Sequence, residues 1–471
     1  MPLIFGDENM AVFSIVKLSE LEGAMRIDAE YYKPEYLGID RSIKRFSNYL
    51  LSQIIVSFSS GRNLPQVPYD IRQVAYIRTQ NVRPILVARE GMTSVEPSVN
   101  KFDLLEEGDI LFVRVGEGVG NSCIITPHWA NNTFSDNVIR LKIKEINPYF
   151  VIVYLNSKLG SKYLERVKKG SARSLISKEN VGLIRIYKPS EEIVSFCKNS
   201  VIEAQELIIH GENLYSQAET LLLEELGLKD FKPRYEKTYT ANLSDAFSAH
   251  RIDAEYFQPA YEEVIRKIED ITELKPLGKL ANRVKLKIKP ENNKLYRYIE
   301  ISDVLIDIGE VNYTERLGKD LPPNARIPVK GGELIISKVR PTRGAIGIIP
   351  YCLGENLICS SAFSVFNVNS PLKEYLYVIT RSIIGRLQLE KPTKGTSYPT
   401  IEDLDVEKLR IPLLPLSTQQ KIASLVQQSH EARRKAKELI EIAKRAVEIA
   451  IEKNEEEAKR EVEEAIEEEI K

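Results

Sequence analysis

A hexapeptide occurs twice in this chain: Arg26-Ile27-Asp28-Ala29-Glu30-Tyr31 returns as Arg251-Ile252-Asp253-Ala254-Glu255-Tyr256, an offset of 225 residues. At that offset Leu18-Ser19-Glu20 matches Leu243-Ser244-Asp245, and Lys169-Gly170-Ser171 matches Lys394-Gly395-Thr396. Ser135 likewise matches Ser360, Gly160 matches Gly385, and Arg185-Ile186 matches Arg410-Ile411. Landmarks in one order at one spacing mark a duplicated unit, and duplication constrains a fold more than any local pattern. At 471 residues the chain is also too long for one compact domain.

Each copy has two textures. The first, roughly 14–190 and 239–415, mixes short β-branched runs with Gly, Pro and Asn punctuation. Val74-Ala75-Tyr76-Ile77, Ile110-Leu111-Phe112-Val113, Leu334-Ile335-Ile336 and Ala362-Phe363-Ser364-Val365-Phe366 are such runs. They predict a twisted sheet with flanking helices. The second texture, about 191–226 and 417–471, is long, glycine-poor and helical. Ile193, Phe196, Val201, Leu207, Ile208 and Leu214 recur near helical spacing, and Gly227 closes that helix. Ile422, Leu425, Ala432, Ala436, Leu439, Ala443, Val447 and Ala450 do the same in the second, and each helix follows a proline-bearing segment. Two narrow apolar stripes most simply zip together antiparallel; the alternative is that each packs on its own globule. The expected class is α+β: two tandem mixed α/β globules joined by two long helices in an antiparallel coiled coil, with a pseudo-twofold. Boundaries fall at 1–190 (first globule), 191–238 (central helix and linker), 239–415 (second globule) and 416–471 (C-terminal helix with acidic tail).

A hydrophobic content of 43% and a charged content of 28% are ordinary for a globular protein. No apolar run approaches the ~20 residues that span a bilayer, so no membrane partner is expected. Cys123, Cys197, Cys352 and Cys359 show no CxxC spacing and read as free thiols of a reducing cytoplasm. The net charge of −1 hides an asymmetry: residues 452–471 hold ten Glu against four Lys/Arg, which leaves the rest of the chain about +5. Basic faces are therefore possible, although the signal is weak. The acidic end beyond Lys453 reads as a solvated or frayed tip.

The motifs of catalysis are decoys here. Gly116-Glu117-Gly118-Val119-Gly120 mimics a nucleotide turn, but its repeat counterpart Arg340-Pro341-Thr342-Arg343-Gly344 loses the spacing. A tight strand-to-strand turn accounts for it. Asn147-Pro148-Tyr149-Phe150 resembles the base-holding loop of DNA methyltransferases without its second proline, and reads as a helix start. There is no GxxxxGK[ST] loop, and His128, His210, His250 and His430 are scattered. No metal site and no catalytic residue is expected.

The order globule, long helix, globule, long helix resembles the specificity (S) subunit of type I restriction-modification systems. Arg26–Tyr36 and Arg251–Tyr261 carry the resemblance, with Glu107-Gly108-Asp109-Ile110-Leu111-Phe112-Val113-Arg114 and Gly332-Glu333-Leu334-Ile335-Ile336-Ser337-Lys338. Lys169-Gly170-Ser171 and Lys394-Gly395-Thr396 add to it. The resemblance implies that each globule is a target-recognition domain reading half of a bipartite sequence in double-stranded DNA. It implies that the helices space the halves and dock two methyltransferase (M) subunits, which hold S-adenosylmethionine, with motor-nuclease (R) subunits joining to cut. This chain would then be non-catalytic and carry no cofactor. It departs from the family pattern where Lys338 replaces Arg114 and Gly116 is lost, and where the last helix runs into the acidic tail.

For such a reader, lysine, arginine and glycine-backbone amides suit phosphates, and Arg, Gln and Asn suit base edges. The phosphate candidates are Lys168, Lys169, Ser171 and Arg173, then Lys394, Thr396, Ser397 and Tyr398, against the alternative of an ordinary surface turn. The base-reading candidates are Arg62, Asn63, Arg78, Gln80, Asn81 and Arg114, then Lys338, Arg340 and Arg343, any of which could instead be a surface or salt-bridge residue. Arg26, Asp28 and Tyr31, with Arg251, Asp253 and Tyr256, are identical in both copies. They suggest a shared structural role, with an Arg–Asp pair and an aromatic anchor between globule and helices. The 36 residues of 191–226 give a helix of about 54 Å, or roughly 16 base pairs, as an upper limit for the spacing of half-site centres. The competing readings are the specificity module of a related defence or solitary methylation system, a duplicated scaffold for protein or small ligands, and a methyltransferase in its own right.

Overall fold

The computed structural model of the protein describes residues 14–16, 18, 29–46, 48–98, 103–116, 118–167, 176–306, 308–395 and 397–470, with side chains to Ala465. The chain divides into two units, Met1–Ile208 with Arg433–Lys471, and Ile209–Ala432. The expected boundaries separate globules from helices, whereas the units cut both long helices in their middles. The cause is packing: Ile193, Cys197, Val201 and Ala204 share one core with the first globule and with Ala436, Ala443 and Val447.

In the first unit an antiparallel sheet runs Ile55–Ser60, Val138–Ile143, Ile110–Val113, Ser122–Ile124. A second sheet runs Gln66–Pro68, Thr93–Val95, Ala75–Ile77, Thr133–Phe134, with its last pair parallel. Successive strand residues face opposite sides. Ile110 and Phe112 therefore join the core under the helices, while Leu111 and Val113 join a second core between the sheets. A strand buried on both faces has no reason to alternate, which is why Ile110–Val113 is a continuous apolar run. Asn147 caps the helix Pro148–Asn156 by accepting from the Tyr149 amide at 2.9 Å, so the decoy Asn-Pro is a helix start. Gly116, Gly118 and Gly120 all have positive φ in the turn between Ile110–Val113 and Ser122–Ile124, where a side chain would be strained.

The second unit repeats this plan. Asn282–Arg283, Phe363–Asn367, Leu334–Ser337 and Ile346–Ile348 form the antiparallel sheet. Its alternation is also repeated, with Leu334 and Ile336 towards the helices and Ile335 towards the other sheet. The second sheet keeps three equivalent strands, Thr314–Leu317, Leu295–Ile299 and Leu357–Ser360, the last two parallel. The fourth strand differs. The first unit adds Gln66–Pro68 at one edge, and the second adds Ala325–Pro328 at the opposite edge. Arg381 is half-buried here and donates to Tyr215 Oη (3.1 Å), Ile306 O (2.8 Å) and Ile346 O (3.0 Å), tying two loops to the long helix.

The long helices are Glu191–Glu225 and Leu416–Glu452. In the second unit Ala218 and Leu222 share a core with Ile422 and Val426, and Ser429 Oγ donates to Gly211 O at 2.6 Å. Numbers rise along one helix as they fall along the other, so the two run antiparallel. In the first unit it is the end of the second helix that joins the first globule's core, which overturns the alternative of each stripe packing on its own globule. The chain breaks after Glu452 and restarts as the helix Glu455–Ile470. Glu455 Oε1 accepts from the Ser190 amide at 3.0 Å, Lys459 pairs with Glu192, and Ala458 is fully buried. The start of the acidic end is therefore docked, not frayed: it takes up the amide of Ser190, just ahead of the first long helix. The four cysteines are free, and no described helix is long and apolar enough to cross a membrane.

Candidate nucleic-acid interface

In each repeat the chain crosses from one sheet to the other through a short turn, and the loops that carry the candidate residues gather around it. In the first unit Ser135 N donates to Ile77 O (2.9 Å), Arg114 N to Asn137 O (3.0 Å) and Arg62 N to Phe134 O (3.2 Å). The Tyr76 hydroxyl donates to Arg62 O at 2.6 Å. A Cβ on Gly61 would lie 2.1 Å from Phe134 O, so this close approach requires glycine. Arg62, Asn63 and Arg114 are exposed. Arg62 faces Asp103 at 3.8 Å, both half-exposed, and Arg114 reaches Ser60 Oγ at 3.4 Å. Such contacts are weak enough for an incoming phosphate or base to replace.

Arg78 opens a one-turn helix, Thr79–Asn81. Its amide donates to Asn81 Oδ1 at 3.0 Å, while Asn81 Nδ2 donates to Ala88 O (3.0 Å) and Glu90 O (2.8 Å). Asn81 is fully buried. It builds the loop and has no surface to offer a base, so the expectation for Asn81 is corrected. Exposed Gln80 donates to Gly91 O at 3.0 Å, and the half-buried Arg78 guanidinium donates to the same carbonyl. Both stand at the rim.

The second unit builds the same turn with other residues. Glu300 N donates to Asp303 Oδ2 at 2.8 Å, opening the helix Ile301–Asp303. Burial pushes the Asp303 carboxyl above the usual range. Asp303 thus stands where Asn81 does, and Glu300 stands where Arg78 does. Lys338 N donates to Ala362 O at 2.8 Å, which places it beside the crossing turn. Its Nζ lies 2.9 Å from Asp403 Oδ1 with only 17% of the side chain exposed. Burial opposes ionisation of Asp403, but hydrogen bonds from Ser364 and Lys338 and the charge of Arg283 hold its carboxyl below the usual range. Lys338 is committed to that network, so the base-reading expectation for it is also corrected.

Arg340 is different. Lys394 and Thr400 exchange backbone hydrogen bonds (3.0 and 2.9 Å) around Gly395, whose φ is +88°. Arg340 N donates to Pro399 O (2.7 Å) and its guanidinium to Ser397 O (3.1 Å). The guanidinium carbon sits 4.3 Å from the centre of the Tyr398 ring, which is 67% exposed. Lys394, Ser397 and Arg343 are exposed as well. Arg340, chosen for base reading, therefore meets Ser397 and Tyr398, chosen for phosphate, at one hairpin. Thr396 lies outside the described residues, as do Lys168, Lys169, Ser171 and Arg173 of the first repeat.

The shared hexapeptide does form its Arg–Asp pair in the second unit. Arg251 Nε and NH2 donate to the two Asp253 oxygens at 2.8 and 2.5 Å, which holds the Asp253 carboxyl below its usual range. Arg251 also donates to Pro392 O and Thr393 O, both at 2.9 Å, and lies over the Tyr256 ring at 4.6 Å. In this unit the anchor ties the segment to the base of the 394–400 hairpin, while in the first unit Tyr31 is buried in the core that the long helices share. Lys391 Nζ lies 5.1 Å from the Tyr256 ring centre, and at its repeat counterpart the Arg166 guanidinium lies 4.2 Å from Tyr31. Arg166 also donates to Tyr31 O at 2.9 Å. Arg26 and Asp28 lie outside the described residues.

Two groups beside the turn escaped the sequence reading, Glu300 and the exposed lysines Lys285, Lys287 and Lys289. The lysines alternate in sequence, which is a usable signal. Glu300 could be found only by placing Glu300–Asp303 on Arg78–Asn81. Among the described residues no group of three or more His, Cys, Asp and Glu side chains could hold a metal ion.

A family model for the type I restriction modification DNA specificity domain matches residues 262–443, from the helix that opens the second globule into the second long helix. The chain is similar to type I restriction-modification specificity subunits. The specificity subunit of the type I restriction enzyme HindI from Haemophilus influenzae is 28% identical over 112 residues, which spans 23% of this chain and 24% of that protein. Among solved structures, the S subunit of a type I restriction-modification system from M. genitalium superposes with a TM-score of 0.37 at 12% identity, covering 85% of this chain and 94% of that one. The HsdS subunit from Thermoanaerobacter tengcongensis gives 0.27 at 12% identity, covering 87% and 97%.

Proposed function

We propose that this chain is the sequence-reading subunit of a type I restriction-modification enzyme and performs no chemistry itself. Each globule reads one half of a bipartite target in double-stranded DNA. The antiparallel helix pair sets the gap between halves and docks two methyltransferase subunits, which hold S-adenosylmethionine; motor-nuclease subunits complete the enzyme. The observation that carries this reading is one frame built twice with different residues at its rim. The cores, the crossing turn and the capped one-turn helix recur, while Arg78 at the rim becomes Glu300. A frame kept while its rim changes suits two readers of unlike half-sites on one chain. Arginine and glutamine at the first rim are suited to guanine and adenine edges, and glutamate at the second to the cytosine amino group.

The test is to co-express the chain with its methyltransferase partner and map methylated adenines across a genome. A single bipartite motif with a fixed unread gap, of which one half changes when one globule is exchanged, supports the reading. An intact complex that yields no motif refutes it and favours a scaffold.

A further inference from the structure

The segment between Arg283 and Pro290 belongs to neither sheet but joins their rims. Val284 N donates to Val365 O (2.8 Å), extending the edge of the antiparallel sheet, and Ile288 N donates to Arg326 O (2.8 Å) on the outer strand of the other sheet. Val284 and Ile288 turn towards the cores, while Lys285, Lys287 and Lys289 are exposed. Among the described residues none of the three pairs with a carboxylate, unlike Lys338 and Lys391 in the same unit. Residues two apart in an extended chain lie about 6.6 Å from each other, a step comparable with that between adjacent phosphates on one nucleic-acid strand. The row also lies at the reading end of the sheet: the strand that follows the crossing turn, Phe363–Asn367, is flanked by this segment on one side and by Leu334–Ser337, which leads to Lys338 and Arg340, on the other.

We propose that Lys285, Lys287 and Lys289 form a track for the sugar-phosphate backbone of the half-site read by the second globule. The inference rests on the DNA-reading assignment above. It goes further in making the two readers unequal at this segment. The counterparts in the first repeat are Ser60, Arg62 and Leu64, so one cation, already facing Asp103, replaces three open ones. Ammonium groups carried on a packed segment neutralise phosphates and release counterions without reading sequence. The second globule is thus the electrostatic grip on its half-site.

The experiment uses the complete chain assembled with its methyltransferase partner and a duplex carrying the mapped target, with affinity measured from 50 to 200 mM salt. Replacing all three lysines by alanine is expected to reduce the slope of log affinity against log salt by about 2.7, so that the loss of affinity over that range becomes about 40-fold smaller. Arg62→Ala should reduce it by no more than about 0.9. The methylated motif should be unchanged, and replacing the three lysines by arginine should restore the slope. An unchanged slope in an assembled triple-alanine complex overturns the track while leaving the DNA-reading assignment intact, since the parent complex still binds. A relaxed base preference in that half-site overturns it too, because the lysines would then be reading bases. If the parent complex itself shows no specific, salt-dependent binding, the assignment fails and the track with it.

Discussion

Replacing Asn81 by alanine separates a base reader from a loop builder. The side chain makes three hydrogen bonds: from the Arg78 amide (3.0 Å) and to Ala88 O (3.0 Å) and Glu90 O (2.8 Å). Each is worth about 0.5–1.5 kcal/mol net, and each buried partner left open costs about 1–3 kcal/mol. Together they should weaken the 78–91 loop by about 3 kcal/mol, or roughly a hundredfold in the local opening equilibrium. A chain of two units does not unfold in one step, so a global melting temperature is the wrong readout. Amide hydrogen exchange is the right one. The Ala88 amide donates to Asn81 O at 2.8 Å, and the amides of Asn81 and Val82 close the one-turn helix; all three should exchange about a hundredfold faster. Asn81→Asp should fall between, because a carboxylate keeps the acceptor for Arg78, as Asp303 does for Glu300, but loses both donors. Unchanged exchange in Asn81→Ala, together with relaxed preference at one base of the motif, would refute the reasoning and return Asn81 to the reading surface.

Glu300→Arg should change or relax one base position in the half-site read by the second globule, and Arg78→Glu one in the other; methylation mapping checks both, and a shift in the wrong half refutes the equivalence of the two turns. Asp40 is buried beside Lys44 (2.5 Å), Arg185 (3.2 Å) and the Tyr163 hydroxyl. Burial raises its pKa, but the hydrogen bonds from Lys44 and Tyr163 outweigh burial and the net shift is downward. A carboxyl that ionises more readily when folded adds stability above its unfolded pKa of about 3.9, and that stability is lost as pH falls through the lower folded value. Asp40→Asn should therefore destabilise the first unit by about 3–5 kcal/mol near neutrality and flatten its acid-unfolding limb, measured by tyrosine fluorescence against pH; identical limbs would contradict this. Inserting seven residues in each long helix keeps the packed faces in register and adds about 10.5 Å, so the unread gap should grow by about three base pairs. An unchanged gap in the methylated motif defeats the spacer role.

What was legible in the sequence follows from where each constraint resides. The duplication, the strands that are apolar on both faces, the helix start at Asn147 and the long helices are properties of contiguous residues, and the structure contains them. Side-chain commitments are not contiguous. Nothing local to Asn81 announces that the carbonyls of Ala88 and Glu90 will take its amide. Nothing local to Lys338 announces an acid at 403. The acidic end misled for the same reason: ten glutamates suggest a frayed tip, yet one of them, Glu455, meets the open amide of Ser190.

The two repeats resolve such ambiguities in a way that one copy cannot. Where a residue type is kept, it serves the frame. The aromatic at 31 and 256 sits under a cation from the end of the corresponding helix in both units, Arg166 within it and Lys391 just after it. Arg185 and Arg410 both pair with an acid on the helix after the hexapeptide, although the acid moves by one turn from Asp40 to Glu269. Where the frame is kept but the residue changes in charge, as from Arg78 to Glu300, the closing of the turn does not demand the change, because both turns are closed by the side chain three residues on. Under the proposed reading the change belongs to what lies outside the chain, since a DNA target with unlike halves is a partner that differs between the two sites.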